Sequence, residues 1–134
     1  MLSIRLKDLC NQYGVFILSS TQLNGDYQDS ETPDQNLLRG AKAIADKIDL
    51  GMILLPVKQK DLDSLQTVMS ATGTGKPNLK ISIYKNRRGR YKGIYLWCDA
   101  DLGTCRVNPM FATTFGYEMI EVADLKIMTE EGAF

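Results

Sequence analysis

The sequence predicts an α/β fold in which parallel core strands are covered by helices and an antiparallel meander closes one edge of the sheet. Three observations predict it. Val15-Phe16-Ile17-Leu18 and the stretch Asp49–Leu55 are almost continuously apolar, the pattern of strands buried on both faces. Residues at helical spacing precede each run. Further on, Leu79–Tyr84 and Gly93–Cys98 are strand-like and flank the turn Asn86-Arg87-Arg88-Gly89-Arg90.

In chain order, Leu2, Leu6, Leu9 and Tyr13 mark an amphipathic helix, and Gly14 stands where a left-handed cap would end it. The run Val15–Leu18 leads into Ser19-Ser20-Thr21-Gln22, polar residues at a strand's C-terminal edge, where open α/β sheets gather ligands. The stretch from Leu23 to Asn36 is a polar loop without periodicity, long enough to imply a function or disorder. Thr32-Pro33-Asp34-Gln35 has the form of a helix start, and Leu37, Ala41, Ile44 and Ile48 continue as a helical stripe. Pro56 closes the second buried strand. Lys60–Met69 forms a short helix, followed by a loop containing Gly73, Gly75 and Pro77. After the hairpin, Leu102-Gly103 turns the chain into Cys105-Arg106-Val107. Beyond Pro109 the pattern weakens, and the acidic segment from Phe115 to Phe134 reads as helix, tail or disorder. Residues 1–109 are therefore expected to form the α/β portion and 110–134 an acidic tail.

The 134 residues suffice for one hydrophobic core, and 44% hydrophobic with 24% charged residues is ordinary for a globular chain. No apolar run reaches the ~20 residues that span a bilayer, and the start shows no export signal, so a cytoplasmic protein is expected. The chain contains no histidine, which excludes Ser-His-Asp and Cys-His catalysis. Cys10, Cys98 and Cys105 lack C-x-x-C spacing, so no metal site is expected. Cys98 and Cys105 could face each other across a hairpin; reduced thiols are the plainer reading.

Lys plus Arg and Asp plus Glu are each 16, so net charge names no partner, but the charge is sorted. Lys76, Lys80, Lys85, Arg87, Arg88, Arg90 and Lys92 crowd one stretch, whereas acids accumulate between Lys7 and Arg39. Thr72-Gly73-Thr74-Gly75-Lys76 is not a phosphate loop. The position five before Gly75 is Ser70 rather than glycine, and Pro77 cannot offer magnesium a hydroxyl.

Lys85 and Arg87 share strand parity with Ile81 and Ile83, so one face runs from two core residues to two cations at the hairpin tip. That geometry suits presentation of charge to an external phosphate. By pattern alone the plainer reading is a solvated turn that keeps an edge strand soluble. Gln22, at a strand end, can orient a water or sense a phosphate through its amide. Arg39 and Lys42 stand three apart near a helix start, where cations and unpaired N–H groups contact phosphate backbones.

Together these pieces resemble the second half of the motor domain of DnaB-like replicative helicases, over roughly Ser3 to Val107. Ser20-Thr21-Gln22-Leu23-Asn24 is similar to that family's strand-end Gln-Leu-Asn motif. Leu38-Arg39-Gly40-Ala41-Lys42-Ala43-Ile44 is similar to its Leu-Arg-x-x-x-x-Ile stretch, and Lys85-Asn86-Arg87-Arg88-Gly89 to its Lys-x-Arg-x-Gly hairpin. The resemblance implies a three-layer RecA-like fold, cut before its nucleotide-binding loop, from a hexameric ATP-driven helicase of 5′-to-3′ polarity. It implies that Gln22 senses the γ-phosphate and that the loop 23–36 lines the central channel. Arg39, Gly40 and Lys42 would contact single-stranded DNA. Lys85 and Arg87 would reach a neighbouring subunit's ATP, with Arg87 as the trans-acting arginine finger. ATP and Mg2+ are implied for the complete protein and not for this stretch alone, which lacks the phosphate loop and the magnesium-binding acid. Primase and a helicase loader are implied partners, and no membrane is. The rival is a non-catalytic nucleic-acid-binding or adaptor module that uses the basic hairpin 85–92, with Tyr84, Tyr91 and Tyr95 as stacking surfaces.

Overall fold

A computed structural model describes residues 2–22 and 46–121. The first helix, α1 (Leu2–Tyr13), forms as the spacing predicts, and Gly14 ends it with φ of +61°. The Val15 N–H returns to the Cys10 carbonyl at 3.3 Å, the closing bond of a Schellman turn. Its half-buried face is Ser3, Leu6, Lys7 and Cys10, whereas Leu2, Leu9 and Tyr13 are exposed.

Val15–Leu18 corrects the expectation of a buried strand. Among the described residues they pair with no strand, and they stand in solvent, Phe16 at 86% and Leu18 at 79% exposure. A continuous apolar run specifies that both faces want cover; it does not supply the neighbours that provide it.

The sheet has five strands in the order β1-β2-β3-β4-β5, all antiparallel: β1 (Leu50–Pro56), β2 (Leu79–Asn86), β3 (Ile94–Asp101), β4 (Arg106–Thr114) and β5 (Met119–Ile120). This corrects the expected parallel core within the described residues. Gly51, Ile53 and Leu55 of β1 are buried while Leu50, Met52 and Leu54 are exposed, the one-sided burial typical of antiparallel sheets. In β2 the buried residues are Lys80 and Ser82; Ile81 and Ile83, expected as core residues, are half-buried.

Between β1 and β2 lie α2 (Gln59–Ser64) and α3 (Gln66–Thr72), a double turn where one short helix was expected. Leu65 joins them and is fully buried. Gly73 caps α3 with φ of +65°. The Thr72 hydroxyl is bonded to the Val68 carbonyl at 2.9 Å and to the Thr74 hydroxyl at 2.8 Å, which ties this glycine-rich loop to its own helix.

Strand β4 continues well past the expected boundary at residue 109. Trp97 pairs with Phe111 and Cys98 with Pro109, so Met110 is the extra residue of a bulge. Proline cannot donate to a ladder and is tolerated at such irregularities. Past the bulge, Phe111, Ala112 and Thr113 are buried. All three cysteines are free thiols, and the β3–β4 register pairs Cys98 with Pro109, not Cys105.

The chain divides into two units, Met1–Ile53 with Ser82–Gly93, and Leu54–Ile81 with Ile94–Phe134. The second holds the aromatic core. Trp97, Tyr95, Leu65, Val68 and Phe111 pack together, with the Trp97 indole N–H donating to the Thr113 hydroxyl at 2.9 Å. In the first, Tyr84 lies over Gly51, its ring occupying the space a Cβ would need. The expected Thr32–Gln35 helix start, the stripe from Leu37 to Ile44, and residues 122–134 of the tail fall outside the described residues.

Candidate functional site

The basic turn after β2 is built by its own side chains. The Asn86 carboxamide accepts from the Gly89 N–H at 2.9 Å and donates to the Tyr91 carbonyl at 3.1 Å. A Cβ on Gly89 would collide with that carboxamide, so the turn requires glycine there. This clamp fixes the backbone on which Arg87 and Arg88 project.

Arg87 itself is held at three points. Its N–H donates to the Asp49 carbonyl at 2.8 Å, which aligns the end of β2 with the residue before β1. Its guanidinium donates from Nη1 to Asp49 Oδ1 at 3.1 Å and from Nη2 to the Asp46 carbonyl at 3.4 Å. Lys7, from α1, occupies the other carboxylate oxygen, Nζ to Asp49 Oδ2 at 2.7 Å. The Lys7 hydrogen bond holds the Asp49 carboxyl below its ordinary range; desolvation opposes it, and the charges of Lys7, Arg87 and Arg88 add to the lowering. Asp49 and Arg87 are each nearly half exposed, at 47% and 45% of the side chain. The result is a surface triad of two cations on one carboxylate, reachable from solvent.

Of the residues singled out in the sequence, Lys85 is half-buried within β2, whereas Arg87, two positions on, lies just past the strand's end. Gln22 is exposed and belongs to no regular element. Arg39, Gly40 and Lys42, and the loop 23–36, lie outside the described residues. Lys7 and Asp49 were missed, because their chain separations of 42 and 38 from their partners leave no local pattern. The stacking surfaces of the rival reading are corrected in part. Tyr95 is buried at 2% exposure, Tyr84 is half-buried, and Tyr91 already carries the Arg90 guanidinium at 5.5 Å from its ring.

The second unit contains another polar cluster, also missed. Asp61 accepts Lys80 Nζ at 3.0 and 3.2 Å, the Tyr117 hydroxyl at 2.8 Å and the Lys58 N–H at 2.9 Å. Lys80 Nζ also lies 4.9 Å from the Tyr95 ring centre and 5.8 Å from that of Trp97, within reach of cation–π attraction. Burial pushes the Asp61 carboxyl up, but its Lys58, Tyr117 and Lys80 partners outweigh that and hold it below its ordinary value. Burial, reinforced by the Asp61 charge, pushes the Tyr95 hydroxyl up to about 12 and raises that of Tyr117 further. Tyr117 adopts φ of +65°, a left-handed conformation costly for an aromatic residue and maintained here by its bond to Asp61 and its packing on Trp97. A groove of about 540 Å³ opens beside it, lined by residues including Thr67, Val68, Ala71, Tyr117 and Glu118.

Among the described residues no group of three or more His, Cys, Asp or Glu side chains is placed to hold a metal ion. Nor is any described helix long and apolar enough to cross a membrane.

With this geometry in view, the chain was compared with known proteins. One relative is clear. A protein of Bacillus subtilis (strain 168), the SPbeta prophage-derived uncharacterized protein YorI, is 36% identical over 131 residues, which cover 95% of this chain and 26% of that protein. The chain thus spans about a quarter of the length of the relative it matches. No protein-family model matches the chain, and no solved structure does.

Proposed function

We propose that this chain is the C-terminal portion of the RecA-like motor of a DnaB-like hexameric replicative helicase, acting on single-stranded DNA with ATP and Mg2+ bound by the complete protein. Its contribution is Arg87, delivered in trans to the γ-phosphate of a neighbouring subunit's ATP, with Lys85 beside it. The observation that carries the reading is the hairpin tip. Arg87 projects from a backbone clamped by Asn86 and Gly89 and bonded to Asp49, yet its guanidinium remains nearly half exposed. A transition-state cation needs this combination of fixed origin and accessible end.

Two further observations support it. Val15–Leu18 and the outer face of β1 carry uncovered apolar side chains, as a sheet does when further strands and helices of the same polypeptide belong against it. In the proposed motor the parallel strands of a three-layer sheet come from that remainder, and the antiparallel strands described above form its edge. The relative, nearly four times the length of the match, has room for such a remainder. Gln22, exposed four residues past that apolar run, takes the role of phosphate sensor, and Arg39, Gly40 and Lys42 that of DNA contacts.

The test is Arg87→Ala in the complete polypeptide. ATP turnover is expected to fall by on the order of 10³–10⁵ while ATP binding persists. Turnover at the unsubstituted rate would refute the assignment. The adaptor reading loses ground with the burial of Tyr95, which removes one of its three stacking surfaces.

A further inference from the structure

The geometry points to a latched oxyanion site at Lys7 and Arg87, in which the Asp49 carboxylate occupies the position that a phosphate group of the neighbouring subunit's nucleotide takes when the site engages. This rests on the reading of Arg87 as a trans-acting finger for the nature of its ligand and deepens it by naming a second cation and an internal competitor.

The argument begins with convergence. Lys7 and Arg87 come from α1 and from the turn after β2, and each contacts a different oxygen of one carboxylate, at 2.7 and 3.1 Å. Two cations set on the two oxygens of a planar anion form a cradle that fits two oxygens of a phosphate equally well. Lys7 is 23% exposed and so is held against the fold, while Asp49 and Arg87 open to solvent. Arg88 adds its charge to the same place.

Competition follows from charge and solvent. An exposed carboxylate bearing a single charge is screened by salt and contributes little when paired at a surface. A terminal phosphate carries more charge and more acceptor oxygens, so it displaces Asp49 where the two meet. Arg87 retains its origin during the exchange, because its N–H bond to the Asp49 carbonyl is a main-chain bond independent of the carboxylate. The latch therefore keeps the finger folded in a subunit without a neighbour's ATP and hands it over, together with Lys7, when that ATP arrives. Asp49 is a positioning residue in this scheme, and Lys7 a phosphate ligand.

Tripolyphosphate added to the 134-residue chain tests it without requiring ATP turnover. The Arg87 Nε–Hε and Lys7 side-chain resonances are followed by NMR at low salt. Asp49→Asn, and Asp49→Ser as a second replacement, are expected to bind roughly tenfold tighter than the unsubstituted chain, since the like charge is gone. Lys7→Ala and Arg87→Ala are each expected to lose most of the binding, whereas Lys92→Ala on the same turn changes it less than about twofold. Unchanged affinity in both Asp49 variants would overturn the latch. So would a loss in Lys92→Ala equal to that in Lys7→Ala, which would show diffuse attraction of a polyanion. Normal turnover of Arg87→Ala in the complete protein beside the expected titration would remove the finger and leave the anion site. The converse would remove the latch and leave the finger.

Discussion

Asp61→Ala is the substitution whose effect the structure predicts most sharply. It removes the carboxylate that receives Lys80, Tyr117 and the Lys58 N–H, and leaves the Lys80 ammonium, 9% exposed at its side chain, between aromatic rings with no counter-ion. Breaking one half of a buried ion pair costs about 3–5 kcal/mol, because the remaining charge keeps its desolvation penalty. The orphaned amide and hydroxyl add to this, though the three losses share one cause and are not additive. Against roughly 5–15 kcal/mol for a whole domain, the loss brings the fold near its limit. Urea unfolding at pH 7, read through the fluorescence of the single tryptophan, Trp97, is the assay. A second variant separates charge from shape: Asp61→Leu with Lys80→Met replaces the pair by apolar groups and is expected to regain most of the stability. A loss below about 1 kcal/mol in Asp61→Ala, or a double variant no more stable than the single one, would refute the reasoning. The pH dependence carries the sign of a depressed carboxyl. The Asp61 contribution is fully present above the unfolded-state value near 4 and is lost as pH falls through the lower folded-state value.

Tyrosine titration gives the opposite sign. Tyr95 and Tyr117 are raised in the folded state, so their contribution is intact below about pH 10 and is lost as pH rises toward about 12; absorbance at high pH should show two of the six tyrosines ionising last or only on unfolding. Thiol labelling of the native chain should modify Cys105, which is exposed, well before Cys98, which burial both hides and raises in pKa; equal rates would contradict the placement of Cys98. Gly14→Ala places a Cβ in a left-handed residue and should cost about 1 kcal/mol in thermal or urea unfolding. Asn86→Ala removes both bonds that clamp the basic turn and should broaden the amide resonances of residues 87–91 without unfolding the second unit.

Local chemistry was legible in the sequence, and remote pairing was not. Gly14 announces its cap because only glycine accepts the left-handed angle freely, and the β2–β3 hairpin announces itself through alternation and a polar turn, whereas Gly73, read as part of a loop, proves to cap α3. The Val15–Leu18 run misled because apolarity records a demand for cover, not its presence. Pro109 halted the reading of β4 because a proline usually ends a strand, whereas here a bulge accommodates it. At the hairpin tip, Arg87 was visible through strand parity, but Lys7 and Asp49 were not. Asp61, Lys80 and Tyr117 were hidden for the same reason, 19 and 56 residues separating the carboxylate from its partners. Asp61 sits in an unremarkable charged stretch, and only tertiary structure turns it into a buried acceptor.

The Tyr84 ring lying on Gly51 bears on how the two strands find each other. Sliding β1 by one residue along β2 would bring Leu50 or Met52 beneath that ring, and every side chain of β1 would change face. Because Leu50, Met52 and Leu54 are nearly as apolar as Ile53 and Leu55, hydrophobicity alone discriminates weakly between the two alignments. A side-chain-sized vacancy meeting a ring of matching size does discriminate. The glycine thus works as a keyhole for alignment, and enlarging it should yield a mixture of alignments as well as a weaker strand pair.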